Sequence, residues 1–208
     1  MIEEIIKLIK TKYNSKNYIC LHEPVFRGNE KKYLEECIDS TYVSSVGSFV
    51  DRFENLMNDI TQTNRTTAVV NGTAALHIAL LLAGVKTDDE VLLPALTFIA
   101  TANAISYCGA IPHFVDSEGL TLGIATEKLR DYLKAHTSQY GGQCVNVTTG
   151  RAIRVMVLMH TFGHPALIDD LGSVCVDWNL ILIEDAAESL GSYYKTAHTG
   201  TFGRMSAI

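Results

Sequence analysis

Two short runs hold the residues best suited to chemistry. The first, T-T-A-V-V-N-G-T-A, spans Thr66–Ala74, and the second, L-I-E-D-A-A-E-S, spans Leu182–Ser189. In the first, apolar Ala68-Val69-Val70 meets Asn71-Gly72-Thr73, and a helical pattern from Ala74 to Val85 begins at once. That gathers free backbone N–H groups, a Thr hydroxyl and the positive end of a helix, a setting that suits a phosphate. In the second, the apolar Leu180–Ile183 delivers Glu184 and Asp185 to a strand's C-terminal end. Ligands of open α/β sheets gather outside such ends. A phosphate cradle and a carboxylate at one rim suit a phosphorylated cofactor with a basic nitrogen, and pyridoxal phosphate fits that description best.

The elements that must position these groups alternate along the chain. Strands are expected at Thr67–Val70, Glu90–Leu93, Ile111–Val115, Arg154–Met159 and Leu180–Ile183, and helices at Ala74–Val85, Phe98–Cys108, Thr126–Lys134 and Leu167–Asn179. Continuous Val/Ile/Leu strands separated by helices imply a mostly parallel sheet covered on both faces. The polar stretch from Ala135 to Gly150 reads as a loop with room for a short hairpin. Met1 to Tyr13 places Ile2, Ile5, Ile6 and Ile9 at helical spacing among Glu and Lys, an amphipathic helix and not a signal peptide. Val91 to Phe114 lacks charged residues, but Pro94, Asn103, Gly109 and Pro112 interrupt it, so it reads as strand, helix and strand of a soluble core.

Composition narrows the function classes. With 47% hydrophobic and 19% charged residues, the 208-residue chain is globular, and its net charge of −6 argues against a nucleic-acid or anionic-membrane binder. Five scattered cysteines without a C-x-x-C pair read as reduced, mostly buried thiols of a cytoplasmic protein. No G-x-G-x-x-G and no G-x-x-x-x-G-K-[ST] is present, which leaves dinucleotide and NTPase readings without their phosphate turns. His160 and His164 are four apart, but Gly163 and Pro165 in H-T-F-G-H-P break any helix there. They read as structural or substrate-side histidines, and no metal site is expected.

Taken together and in order, these segments resemble the sugar-nucleotide aminotransferases, the DegT/DnrJ/EryC1/StrS family of fold-type I pyridoxal-phosphate enzymes. The resemblance runs from L-H-E-P-V-F-R-G-N-E (Leu21–Glu30) through S-T-Y-V-S-S-V-G-S-F-V-D-R-F-E (Ser40–Glu54), N-G-T-A-A-L (Asn71–Leu76) and L-P-A-L-T-F-I-A-T-A-N-A-I (Leu93–Ile105). It continues in G-A-I-P-H-F-V-D (Gly109–Asp116), H-T-F-G-H-P (His160–Pro165), I-E-D-A-A-E-S-L-G-S (Ile183–Ser192) and H-T-G-T-F-G (His198–Gly203). The wording is most similar to the legionaminic-acid and bacillosamine branch. The fold it implies is a three-layer α/β large domain. Residues 1–65 would form a helix and arm, and 66–208 the cofactor-binding domain, ending before the last strand and the small domain.

The resemblance assigns roles residue by residue. Gly72, Thr73 and Ala74 would hold the cofactor phosphate, Phe98 would stack on its ring, and Asp185 would keep the ring nitrogen protonated as an electron sink. Ser44, Ser45 and Gly47 match the family's small polar turn near the sugar. Glu188 departs from the usual Gln or His, which donates to the ring oxygen. An ionised Glu only accepts, so Glu188 is protonated, contacts something else, or reflects a branch preference. The Schiff-base lysine of the family would follow Ile208, and Lys195 does not match its position. The implied activity of the complete protein is cytoplasmic amino transfer, from glutamate, to a 4-keto-6-deoxy sugar on UDP or, second, GDP, for bacterial surface glycans. The implied assembly is a homodimer built through Leu21–Glu54, with cationic groups such as Arg27 supplied by the arm or by a partner. The alternatives are a pyridoxamine-phosphate-dependent sugar dehydratase, with His in place of Lys, and a non-catalytic cofactor-pocket module if Ile208 is a true end.

Overall fold

The structure, a computed structural model, describes residues 1–14, 18–20 and 24–208. Leu21, His22 and Glu23, which open the arm motif, lie outside the described residues. Two compact units are present, Met1–Phe49 and Val50–Ile208. The first carries helices α1 (Ile2–Lys12) and α2 (Glu30–Ser40), neither of which buries a residue. In it the rings of Tyr33 and Phe49 meet at 5.3 Å, and Gly47 takes φ +150 against the Cβ of Tyr42. Helix α3 (Ser48–Thr61) leads into the second unit.

The second unit is a three-layer α/β domain. Its parallel strands β1 (Glu90–Pro94), β2 (Ile111–Val115), β5 (Ala152–Met159), β6 (Ile181–Asp185) and β9 (Met205–Ala207) lie in the order β2-β1-β5-β6-β9. Strands β7 (Tyr193–Tyr194) and β8 (Ala197–His198) form a separate antiparallel pair, and a hairpin of β3 (Thr137–Tyr140) and β4 (Gln143–Asn146) joins the main sheet through β4, antiparallel to the start of β5. Its turn, Gly141-Gly142, has φ of +56 and +77, the left-handed pair that a two-residue hairpin turn requires. Alternation along the strands divides the core. Val91, Leu93, Val155, Val157 and Ile183 face helices α4 (Gly72–Leu82) and α5 (Ile99–Tyr107). Leu92, Met156, Leu158 and Leu182 face α6 (Thr126–His136) and α7 (Ile168–Trp178). All five residues of β1 are buried, as expected of a strand covered on both faces. The uncharged stretch from Val91 is thus divided among β1, α5 and β2, and no described helix is long and apolar enough to cross a membrane.

Three expectations are corrected. Thr67–Val70 joins no ladder among the described residues, and Val70 stands in a bend. Val70 is 87% exposed, and the Ala68 amide is anchored on Glu54 Oε1 at 2.8 Å. A strand exists through its partner, and an apolar pattern does not supply one. Conversely, the strand expected wholly past Ile208 begins inside the chain. β9 pairs with β6 through Ile183↔Met205, Glu184↔Ser206 and Asp185↔Ala207. Finally, of the cysteines only Cys144 and Cys175 are buried, while Cys20 is exposed and Cys37 and Cys108 are half-buried.

Candidate active site

Parallel pairing puts the ends of β5, β6 and β9 at one level, Met159↔Asp185↔Ala207, and β1 ends on the same rim. Asp185, the last residue of β6, is 5% exposed and faces the α4/α5 layer. Its Oδ2 accepts from Thr101 Oγ1 at 2.6 Å, in the first turn of α5. Thr97 Oγ1 extends this chain, lying 3.2 Å from Thr101 Oγ1 and 3.2 Å from Met159 Sδ. Oδ1 meets only the Ala187 amide, at 3.4 Å. No helix follows Asp185, which removes the simplest alternative, that it merely caps one. Burial pushes the Asp185 carboxyl above the ordinary carboxylate range, against the downward pull of the Thr101 hydrogen bond. Among the described residues no cationic side chain pairs with it. It is a buried carboxylate without a cationic partner among the described residues.

The phosphate-type cradle stands at the start of α4, which packs against α5, β6 and β9. Asn71 is extended (φ −167, ψ 170) and caps the helix, its Oδ1 accepting from the Ala74 amide at 2.8 Å. This uses Ala74 for the cap. The amides of Gly72 and Thr73, in the first turn, have no carbonyl within the helix to bond. A Cβ placed on Gly72 would meet nothing within 4 Å, so the space beside Gly72 is open. Phe98 is the N-cap of α5 and 65% exposed, so it does not belong to the core, the place where most Phe side chains lie.

Beneath the rim, on the opposite face of β6, Glu184 and His160 form a fully buried pair, with Nε2 3.0 Å from Oε2. The ring's Nδ1 accepts from the Ala166 amide at 3.2 Å, so the proton sits on Nε2 and is donated to Glu184. Glu184 also receives the amides of Gly200 at 2.8 Å, Phe202 at 2.6 Å and Gly203 at 2.5 Å. Burial works to raise this carboxyl, but the His160, Gly203 and Gly200 donors outweigh it and hold the group below its ordinary value. Glu184 thereby fixes the turn that leads into β9.

Glu188 is exposed, and its Oε2 accepts from the Phe162 amide at 3.0 Å. Of the readings open from sequence, it therefore contacts something else. Lys195 pairs with Asp169 in the first turn of α7, at the surface. Phe98, Asp185 and Glu188 are thus tied to one rim through Thr101 and the β5 and β6 ends. Ser44, Ser45 and Gly47 lie in the N-terminal unit, in the turn before α3. Sequence reasoning missed Thr101, the His160–Glu184 pair and Phe162, whose partners are all distant in sequence.

Comparison with known proteins agrees with this geometry. The pattern of the DegT/DnrJ/EryC1/StrS aminotransferase family matches residues 24–208. The chain belongs to that family. It is 38% identical over 191 residues to a GDP-perosamine synthase of Escherichia coli O157:H7, covering 92% of this chain and 48% of the relative. Among solved structures, an aminotransferase from Psychrobacter cryohalolentis superposes with a TM-score of 0.75 at 26% identity, covering 88% of this chain and 42% of that one. An E. coli GDP-4-keto-6-deoxy-D-mannose-3-dehydratase with bound hydrated pyridoxal phosphate gives a TM-score of 0.72 at 22% identity, a likeness of fold, over 90% and 45% of the two chains. The chain spans about half the length of the relatives it matches.

Proposed function

We propose that this chain supplies the cofactor-binding large domain, residues 66–208, of a pyridoxal-phosphate-dependent aminotransferase acting on a nucleotide-linked 4-keto-6-deoxy sugar, with glutamate as amino donor. The observation that carries this reading is Asp185, a buried carboxylate at the end of β6 without a cationic partner among the described residues. A pyridine nitrogen supplies the proton that such a group lacks, and the residues present fit the cofactor. Gly72 and Thr73 offer two amides and a hydroxyl for the phosphate, Phe98 offers an exposed ring face, and Asp185 offers the acceptor. When bound, the cofactor supplies an electron sink for the carbon from which a proton is removed.

The chain's own contribution is binding and electrostatics. The dipole of α4 and the free amides favour the phosphate dianion. Thr101 holds Asp185 Oδ2 and the Ala187 amide makes only a long contact with Oδ1, so the carboxylate would retain acceptor capacity for a protonated ring nitrogen. Burial strengthens that interaction, since little water competes. The Schiff-base lysine and proton shuttle belong, on this reading, to the segment after Ile208. Exposed Leu82 on α4 and Ile99 on α5, 72% and 64% accessible, support burial against the rest of the protein or a second subunit, as in a cytoplasmic homodimer.

The test is to incubate the whole protein with pyridoxal phosphate, glutamate and a UDP- or GDP-linked 4-keto-6-deoxy sugar, and to follow the sugar by mass spectrometry. The resemblance favours UDP, and the perosamine synthase relatives favour GDP. An amino sugar lost in Asp185→Ala supports the reading. A dehydrated sugar would establish the dehydratase instead. Cofactor uptake without turnover of either nucleotide would leave a binding module and refute amino transfer.

A further inference from the structure

Phe162 is built at a cost that its surroundings do not return. It stands in the left-handed region, φ 54 and ψ 28, where the Cβ of a bulky residue crowds the following carbonyl. The residue is 68% exposed, so little burial offsets that strain. Glycine or asparagine would take the same backbone more comfortably.

The conformation is nevertheless enforced from several directions. Glu188 Oε2 accepts the Phe162 amide at 3.0 Å. The Gly163 amide bonds His160 O at 3.0 Å, the His164 amide bonds Thr161 O at 3.1 Å, and Ser192 Oγ donates to Gly163 O at 2.7 Å. Gly163, at φ +81, lies so close to the following loop that a Cβ there would sit 2.7 Å from Glu188 O. The same turn is fastened to the cofactor carboxylate's strand, because the His160 amide bonds Asp185 O at 3.1 Å. Strain held by this many contacts at a ligand-bearing rim points to a use in the bound state.

We infer that the Phe162 ring is a wall of the sugar site, contacting the apolar C–H face of the 6-deoxy sugar, and that Glu188 is the positioning residue that holds it there. The inference rests on the function proposed above. Phe98 and Phe162 are exposed aromatic residues on the segments that leave β1 and β5 at this rim, and Phe98 is the one assigned above to the cofactor ring. The second ring is then left to the substrate, whose ring C–H bonds and 6-methyl group are its apolar part. A carboxylate suits position 188 for the same reason: the group it serves is an amide donor, and an ionised Glu only accepts.

The test uses the whole protein, with melting temperature, the absorption band of bound pyridoxal phosphate, and KM for the nucleotide sugar and for glutamate as readouts. Phe162→Gly and Phe162→Asn should melt about 1–3 °C above Phe162→Ala, because they accept the left-handed backbone. All three should raise KM for the nucleotide sugar about 3- to 10-fold, the scale of one lost aromatic contact, with KM for glutamate and the absorption band unmoved. Phe162→Tyr should stay near wild type. Glu188→Ala should follow Phe162→Ala, and Glu188→Gln, which keeps an acceptor oxygen, should not. A wild-type KM in Phe162→Gly would overturn the inference, since backbone shape would then suffice. An equal rise in both KM values would overturn it as well. A wild-type protein that binds pyridoxal phosphate but turns over no nucleotide sugar would instead refute the proposed function, and this inference with it.

Discussion

Replacing Glu184 by Gln changes one oxygen to an NH2 group and leaves the shape of the side chain alone, so the loss can be counted from the structure. Oε2 accepts from His160 Nε2 and the Gly200 amide, and Oε1 from the Phe202 and Gly203 amides. Whichever way the new amide turns, two donors face another donor: the buried His160 ring and Gly200 amide on one side, or the part-buried Phe202 and Gly203 amides on the other. His160 cannot relieve this by moving its proton, because the Ala166 amide already occupies Nδ1. Each orphaned buried donor costs about 1–3 kcal/mol, so the variant should lose about 2–6 kcal/mol. At about 2–4 °C per kcal/mol for a chain of this size, the melting temperature should fall by roughly 5–20 °C. Thermal unfolding of the 208-residue chain by circular dichroism reads this directly, and hydrogen exchange at Phe202 and Gly203 should accelerate before the rest of the sheet. The charge adds a pH signature. The folded Glu184 carboxyl is held below its unfolded value, so its contribution is present above the ordinary 4.5 and lost as pH falls through the folded value. Wild type and Glu184→Gln should therefore converge in stability at low pH. A shift under about 2 °C at neutral pH, or a gap that persists in acid, would show that Glu184 does not anchor the turn into β9.

The remaining expectations follow from the same physics. Asp185 is raised in the folded chain, so folding there weakens as pH rises through the window above the ordinary carboxylate value. Asp185→Asn, which keeps an acceptor for Thr101, should raise the melting temperature of the cofactor-free chain at pH 7 while weakening pyridoxal phosphate binding roughly tenfold or more, read by calorimetry. Glu90, buried at the start of β1, would be raised by burial, but Thr149, Asn146 and His113 at 2.7, 2.9 and 2.7 Å hold it low. Amide exchange in the β3–β4 hairpin should accelerate as pH drops below its ordinary 4.5, and Glu90→Gln should show that acceleration already at neutral pH. Burial pushes the Cys175 thiol up to about 12 and raises Cys144 as well, so at pH 8 a thiol reagent should label exposed Cys20 first and the two buried thiols only on unfolding.

What the sequence reveals divides along the line between local and distant causes. β2 occupies the predicted Ile111–Val115, and α6 begins at the predicted Thr126, because apolar spacing and helix starts are written into neighbouring residues. Thr67–Val70 and β9 were misjudged for the opposite reason: whether an apolar run becomes a strand depends on which other strand lies beside it. The site shows the same division. Asp185 at the end of β6 and Gly72-Thr73 at the start of α4 could be placed from sequence because a strand end and a helix start announce themselves locally, while their ligand roles remain the proposal made above. Thr101 reaches Asp185 across 84 positions, His160 reaches Glu184 across 24, and Phe162 reaches Glu188 across 26. Each of these contacts joins residues at or just past the ends of β1, β5 and β6, so they arise from the order β1-β5-β6-β9 and from no single motif. They also decide what the legible residues can do. Adjacent on β6, Glu184 and Asp185 look equivalent in sequence. The strand sends them to opposite faces, one met by four donors and held low, the other met by the Thr101 hydroxyl and the long contact of the Ala187 amide and held high. Two carboxylates of one motif thus become an anchor and a proposed cofactor partner through their neighbours alone.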